Sequence, residues 1–238
     1  MMFNDKEISN RGSQEKTIND LILMIRSNPF SPEYYLSLGN CYSLIEKEWN
    51  ASIHYHAFLD FSRMGKKARE VKKKLSQSQI ERKIFDAKGW LLEAEKKYLD
   101  YIDQMGSTGK QFGQKITAAT NKDVNKEEII DGLQTWLKDV APHKAQEWAR
   151  AHFENALNLA NKSKYRASIA QLTAGIEIYP HDHPARCMLA RLFAIIGDKS
   201  LAADIINLVN TDECEPVVRQ ILKDEIDLVK SMINSKDL

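Results

Sequence analysis

The sequence predicts an all-α protein in which helical hairpins stack into a solenoid, and three observations support this fold class. Two segments near the C-terminus share one residue pattern displaced by 34 positions, the length of a two-helix repeat unit. Elsewhere apolar residues recur at helical spacing. Gly (10) and Pro (6), which interrupt helices, are scarce, and no convincing strand pattern is present. Because one hairpin cannot bury its apolar face alone, repeated hairpins must stack.

Composition and charge narrow the class of protein. Hydrophobic residues make up 43% of the 238 residues, enough for a core, and the net charge of +1 selects neither nucleic acid nor a membrane surface. Cys41, Cys187 and Cys214 are odd in number and far apart, which fits a reducing compartment. Residues 1–16 lack the apolar core of a secretory signal, and runs such as 21–25 are too short to cross a bilayer. We therefore expect a soluble, cytoplasmic protein.

The N-terminal part is predicted to contain a disordered lead-in, 1–15, and a helical block, 16–65. Its first helix covers 15–27 and ends at a proline-containing turn, because proline lacks an amide hydrogen and restricts the preceding residue. Ser31 is the predicted N-cap of the next helix, with Pro32 at its first position.

The central part, 66–142, does not follow the repeat pattern and is predicted to be a long helical insertion, with a divergent repeat as the open alternative. Its first segment, 66–83, carries a net charge of +6 from eight Lys or Arg and two Glu residues. This segment begins either one long helix or two helices with a bend near 76–78. Residues 106–122 contain three glycines and few apolar anchors, so we expect a mobile loop there.

A linking helix follows this loop and leads into the C-terminal block, 143–238. Asn125 is its predicted N-cap, with Glu128 as the reciprocal partner, and Pro142 is predicted to end it. The remaining helices are predicted at about 143–161, 165–178, 183–196, 199–209 and 216–233, the last of them as a cap.

Three stretches carry a common set of bulky and small positions. Counted from Pro32, the first supplies Tyr35, Leu38, Gly39, Tyr42, Ala51 and Tyr55. Counted from Ala149, the second supplies Ala156, Leu159, Leu172, Gly175 and Pro180. Counted from His183, the third supplies Leu189, Ala190, Phe193, Ala202 and Ile206. Phe58, Arg186 and Val209 depart from the pattern. These stretches, about half of the chain, resemble the tetratricopeptide repeat family.

The resemblance implies a right-handed solenoid in which small residues lie where helices cross and first helices line a concave face that binds a partner. It would place on that face Leu36, Asn40, Leu44, Arg150, Phe153, Leu157, Asn161, Cys187, Arg191 and Ile195. Some members hold a terminal carboxylate with Lys, Asn and Arg, but here only Asn40 fits. We therefore expect an apolar or helical segment of another protein. Alternatively, 66–142 or the last helix covers these residues.

The basic stretch offers a second hypothesis. Lys66, Lys67, Arg69, Lys72, Lys73 and Lys74 could bind phosphates or an anionic membrane surface. A solvated helix face is the more common explanation, and no aromatic residue is present to stack on single-stranded bases. We therefore keep a nucleic-acid- or membrane-associated adaptor as the alternative function.

Several short motifs resemble metal-binding or phosphate-binding sites, but each lacks residues that such a site requires. His181–Asp182–His183 lacks further ligands for a metal and is expected to be a solvated turn. The glycines of 106–110 lack the spacing of a phosphate loop, and 121–132 lacks the glycine and glutamate of a calcium loop. His54 and His56 lie on different helix faces. We expect no catalytic centre, metal or cofactor, although an unrecognised site in 66–142 stays open. The expected protein is a cytoplasmic scaffold or adaptor, with possible self-association.

Overall fold

A computed structural model describes residues 5–77, 86–119, 125–212 and 214–235, and the regular structure of these residues is entirely helical. The all-α prediction is therefore confirmed for this part of the chain. None of its helices is both long enough and apolar enough to cross a membrane. The helices are α1 (Asp5–Ser27), α2 (Pro32–Leu44), α3 (Glu48–Phe61), α4 (Lys66–Gln77), α5 (Ala87–Ala119), α6 (Lys126–Asn161), α7 (Tyr165–Ile178), α8 (His183–Ile195), α9 (Lys199–Ile206) and α10 (Pro216–Asn234).

The predicted helix boundaries agree best in the second half of the chain, where α7, α8 and α10 begin at the predicted residues. At the N-terminus, α1 begins at Asp5, so residues 5–15 are helical and the predicted disordered lead-in is wrong there. The predicted continuation or bend after α4 falls at 78–85, outside the described residues.

The predicted mobile loop is a helix, because α5 continues through 106–119. Its three glycines face α6 and allow a close approach of the two backbones. A Cβ atom at Gly113 would lie 2.8 Å from the Cα atom of Ile130, and one at Gly109 would overlap the carbonyl oxygen of Leu133. The glycines therefore serve helix packing and not loop flexibility. The remainder of that prediction, 120–122, lies outside the described residues.

Pro142 does not end the linking helix, which continues as α6 to Asn161. A proline inside a helix costs about 3 kcal/mol, so neighbouring structure must stabilise the helix through this point. Ala141 and Ala145, on either side of the proline, are completely buried. The predicted N-cap is confirmed, because the Asn125 side chain accepts a hydrogen bond from the Glu128 backbone amide at 3.3 Å; the reciprocal bond from Asn125 to the Glu128 side chain stays a prediction.

The core of the molecule surrounds α7. Every residue from Ala167 to Ile176 is buried, and α7 contacts α3, α5, α6 and α8. A helix that is buried on all sides has neighbours all around it. The N-terminal and C-terminal helices therefore share α7 as their common packing partner.

Hydrogen bonds at both ends of α3 show that α3 and α7 are antiparallel. Near the end of α3, the Asp60 carboxylate accepts hydrogen bonds from the amides of Arg166 and Ala167 at 2.8 and 3.0 Å. Near its start, the Asn50 amide donates to Glu177 at 2.9 Å. In a linear stack each hairpin contacts only its sequence neighbours. Here the first hairpin contacts α7 although α4, α5 and α6 intervene in the sequence.

A buried polar network ties α1 and α2 to α7. Gln171 Nε2 donates to the Ile25 carbonyl and to Tyr35 Oη, both at 3.0 Å, and Tyr35 Oη donates to the Pro29 carbonyl at 2.8 Å. His152 Nδ1 lies 2.6 Å from Gln171 Oε1. A well-connected buried network fixes one arrangement of its helices, since any other leaves polar groups unpaired.

Small residues lie at the helix crossings, as predicted. A Cβ atom at Gly39 would lie 2.5 Å from the Tyr55 ring, and one at Gly175 would lie 3.2 Å from the His152 Cβ atom. The corresponding alanines, Ala156, Ala190 and Ala202, are completely buried. Two small residues of the pattern, Gly39 and Gly175, therefore lie at the α2–α3 and α6–α7 contacts.

His54 is buried beside two tyrosines. Its ring stacks on Tyr42 with centroids 5.3 Å apart and lies 6.3 Å from Tyr35. Among the described residues, Nδ1 of His54 has no hydrogen-bond partner. Burial lowers the pKa of His54 to about 3 and that of His152 to about 4, so both rings are neutral at neutral pH.

Two glycines of the α5–α6 pair provide a test of the close packing. Gly109→Ala should destabilise the protein by about 1–2 kcal/mol, because the cost of overpacking exceeds the gain in helix propensity. Gly132→Ala is the matched control, since a Cβ atom there meets open space, and it should stabilise the protein by up to about 1 kcal/mol. Denaturant unfolding measures both; equal stabilisation by the two variants would contradict the packing.

His54 should make the protein sensitive to acid. Its pKa is lower in the folded chain than the ordinary value of about 6.5, so below that pH the unfolded chain binds more protons. The free energy of unfolding should therefore decrease as pH falls from about 6.5 toward 4. His54→Phe should reduce this slope by about one proton, or about 1.4 kcal/mol per pH unit. The exposed His143 gives the control, His143→Phe; an unchanged slope for His54→Phe would refute the assignment.

Candidate functional site

Two of the predicted partner-binding residues lie on a surface shared by α8 and α10. Arg191 Nη1 on α8 lies 3.2 Å from Glu225 Oε1 on α10, and both side chains keep more than a third of their surface exposed. This ion pair shows that the last helix lies beside the first helix of the preceding hairpin. A partly solvated pair contributes little stability, about 0–1 kcal/mol, so its main effect is on local charge.

Exposed apolar side chains surround this ion pair. Ile195 lies one helical turn beyond Arg191, and Ile221 and Leu228 lie about one turn on either side of Glu225. We call Arg191, Ile195, Ile221, Glu225 and Leu228 the α8–α10 strip. The adjacent side of α10, about 100° around the helix axis, packs into the core through Leu222 and Val229. The last helix is therefore apolar on two sides, and only one of them is covered by the described chain.

Cys187 does not belong to this surface, contrary to the prediction. Only 2% of its surface is exposed, and burial raises the pKa of its thiol to about 12. The thiol is therefore protonated and packed among apolar residues. The alternative that the last helix covers part of the groove is consistent with this burial, because α10 packs against α8.

The predicted residues on α6 form a separate group. Arg150 is exposed and pairs with Glu154 on its own helix at 3.2 Å. Leu157 and Asn161 are also exposed, whereas Phe153 is half-buried against the core. The main contacts of α8 are with α7, α9 and α10. The predicted residues on α6 are therefore not part of the α8–α10 strip.

The predicted residues on α2 are not brought to the strip. The main contacts of α2 are with α1 and α3. Asn40 Oδ1 accepts hydrogen bonds from Lys74 Nζ at 2.8 Å and from Tyr55 Oη at 3.0 Å, which ties it to the basic helix. Leu36 is half-buried and packs against the core, whereas Leu44 is largely exposed.

The basic helix α4 presents its charges to solvent. Ala68 and Val71 are buried, and all six predicted anion-binding residues are exposed. Several of them also contact their neighbours: Lys67 pairs with Glu33 at 2.8 Å, and Lys72 donates to the Arg63 carbonyl at 3.1 Å. Lys66, Arg69 and Lys73 share one face at helical spacing. The rest of the basic stretch, 78–83, lies outside the described residues.

The segment His181–His183 is partly buried and not a solvated turn. His183 is buried, and Asp182 caps α8 by accepting a hydrogen bond from the Ala185 amide at 3.0 Å. Across the described ranges, no three His, Cys, Asp or Glu side chains are grouped so that they could hold a metal ion. His54 is buried, and the partly buried His56 has its Nδ1 atom 2.7 Å from the Arg166 guanidinium.

Sequence reasoning missed the contribution of α10 to the strip. Leu222, Ile226 and Val229 mark the core-facing side of this helix, but Ile221 and Leu228 form a second apolar row beside them. This second row was the available signal, because a helix with one side in the core and the other in solvent is expected to have a polar outer side.

Comparison with models of protein families, with curated proteins and with solved structures found no match.

Proposed function

We propose that this protein is a protein-binding scaffold whose tetratricopeptide-like hairpins present the α8–α10 strip to an apolar or helical segment of a partner. The observation that carries the proposal is the exposed row of Ile195, Ile221 and Leu228 around one ion pair. Apolar residues grouped on a surface in this way are typical of interaction sites. An amphipathic helix recognises such a surface through apolar side chains one turn apart.

The hairpin interpretation is supported by packing. The pairs α2–α3, α6–α7 and α8–α9 each contact extensively. Gly39 and Gly175, at the crossings of the first two pairs, lie where the repeat family requires small residues. The contacts from α6 through α10 follow the order of the chain, as in a short stack. The first hairpin does not continue this stack, because α3 packs antiparallel to α7, which is not its neighbour in sequence. The proposed solenoid is therefore limited to the C-terminal helices.

The ion pair would give the strip its specificity. A partner with an acidic group near its apolar anchors could bind Arg191, and one with a basic group could bind Glu225. Both charges are already partly exposed, so little desolvation accompanies such an exchange. The apolar anchors would supply most of the affinity, because a few central residues usually carry the binding energy.

The proposal is tested by placing a photo-reactive residue at position 228 of the full chain and identifying the protein that it captures. With that purified partner, Ile195→Asp and Ile221→Asp should each weaken binding by about tenfold or more, because a charge is introduced among the apolar anchors. Met64→Asp, at an exposed position outside the strip, is the matched control. Titration calorimetry measures the affinities, and unchanged affinity in both strip variants would refute the site.

A second candidate function is an adaptor that binds an anionic surface through α4. The observation that favours it is the exposure of all six basic residues on one short helix. Such binding would be electrostatic and would need no apolar anchor.

The two candidates differ in their response to salt. Binding of the full chain to duplex DNA or to phosphatidylserine vesicles should be detectable at low salt and should collapse at physiological salt if α4 carries it. A Lys66→Glu, Arg69→Glu, Lys73→Glu variant should abolish this binding, whereas Lys96→Glu on α5 should reduce it only slightly. Absence of binding at low salt eliminates the second candidate.

A further inference from the structure

The outer parts of α5 and α6 form a two-helix arm, 103–119 and 126–140, with almost no apolar core. The residues of this part of α5 that are buried are Gly106, Gly109, Gly113 and Thr117, and no residue of 126–140 is buried. Because Gly109 and Gly113 lie against the backbone of α6, and the Lys138 side chain packs on Gly106, no space is left between the two helices for large apolar side chains. They must lie on the sides of the arm.

One side of the arm is polar and the other is apolar. Asp103 and Lys138 form an ion pair of 2.8 Å between the two helices, which marks the polar side. At about 100° per residue, Phe112 lies half a turn from Asp103 around α5, and Trp136 lies about half a turn from Lys138 around α6. Both therefore point to the opposite side, with exposed fractions of 57% and 59%.

This opposite side forms a continuous uncharged surface that we call the arm stripe. By the same helical spacing it contains Met105, Phe112, Ile116, Ile129, Trp136 and Val140. No Asp, Glu, Lys or Arg residue occupies these positions. The stripe can therefore be buried without desolvating a charge.

The outer edges of the arm carry opposite charges at the same height. Gly113 faces Ile130 across the arm. Lys115 follows Gly113 by two positions and Glu128 precedes Ile130 by two, so these exposed residues are level with each other on opposite edges. An arm turned to face a copy of itself, with α5 against the α6 of that copy, would bring Lys115 next to Glu128 on both edges.

We propose that the arm stripe is a homodimer interface in which two arms pack into a four-helix bundle. The bundle supplies the apolar core that one arm lacks, and the two-fold arrangement joins unlike charges at both edges. The arm is about 25 Å long and about 20 Å wide, so two copies would bury about 1,000 Å², the lower limit for a specific interface. The dimer should therefore dissociate on dilution. The surface is separate from the α8–α10 strip.

Sedimentation of the full chain over a roughly hundredfold range of concentration tests the proposal. The wild-type chain should show a monomer–dimer equilibrium. Phe112→Glu and Trp136→Glu should each raise the dissociation constant by about 30-fold or more, because each places a charge in the buried stripe. Leu99→Glu is the matched control: Leu99 lies on the same helix with an exposed fraction of 59%, but outside the stripe, and its variant should dimerise like the wild type.

The edge charges provide a second, independent measurement. Lys115→Glu should weaken dimerisation by about threefold to tenfold, since exposed ion pairs contribute only modestly to an interface. Adding Glu128→Lys should restore it, which a merely structural effect would not do. Far-UV circular dichroism checks that each variant is folded. A wild-type chain that is monomeric at every concentration overturns the proposal, as does equal dissociation by Leu99→Glu.

Discussion

The fold depends on the burial of α7 and on one polar side chain at its centre. Gln171 hydrogen-bonds a carbonyl of α1 and the phenol of α2, and its amide oxygen contacts the imidazole of α6. If α1, α2 or α6 moved away, the Gln171 atom that it contacts would lose that partner inside the core. Such an unpaired group costs about 1–3 kcal/mol. The apolar contacts of α7 supply the stability, and Gln171 selects one arrangement of the helices around it.

The parts of the structure that sequence reasoning predicted well are those set by local spacing. Gly39 and Ala156 were expected at helix crossings because small and bulky residues alternate at fixed distances within a hairpin. The contact between α3 and α7 could not be predicted, because Asp60 and Ala167 are far apart in sequence and an antiparallel pair of distant helices leaves no periodic signal. A hairpin repeat pattern describes contacts within hairpins better than contacts between distant ones.

The errors come from residues whose chemistry allows two structural roles. Glycine suits a loop because it is flexible, and it also suits a close helix contact because it is small; Gly109 takes the second role. Pro142 would end an isolated helix, but packing of Ala141 and Ala145 keeps it inside one. In the candidate site, Arg191 and Ile195 were found from the repeat pattern, whereas Glu225 lies on α10, outside the repeats. Cys187 was placed on the surface by the same pattern, but it is buried in α8.

The long-range hydrogen bonds of Gln171 have a consequence for synthesis of the chain on the ribosome. The Ile25 carbonyl and the Tyr35 phenol are separated from Gln171 by 146 and 136 residues. Helices α1 to α3 are made early, but their packing partner is translated only after two-thirds of the chain. Until then the sides of these helices that pack against α7 lack their partner, so the N-terminal block cannot complete its core. The helix that organises the folded protein is thus also the one that determines when folding can be completed.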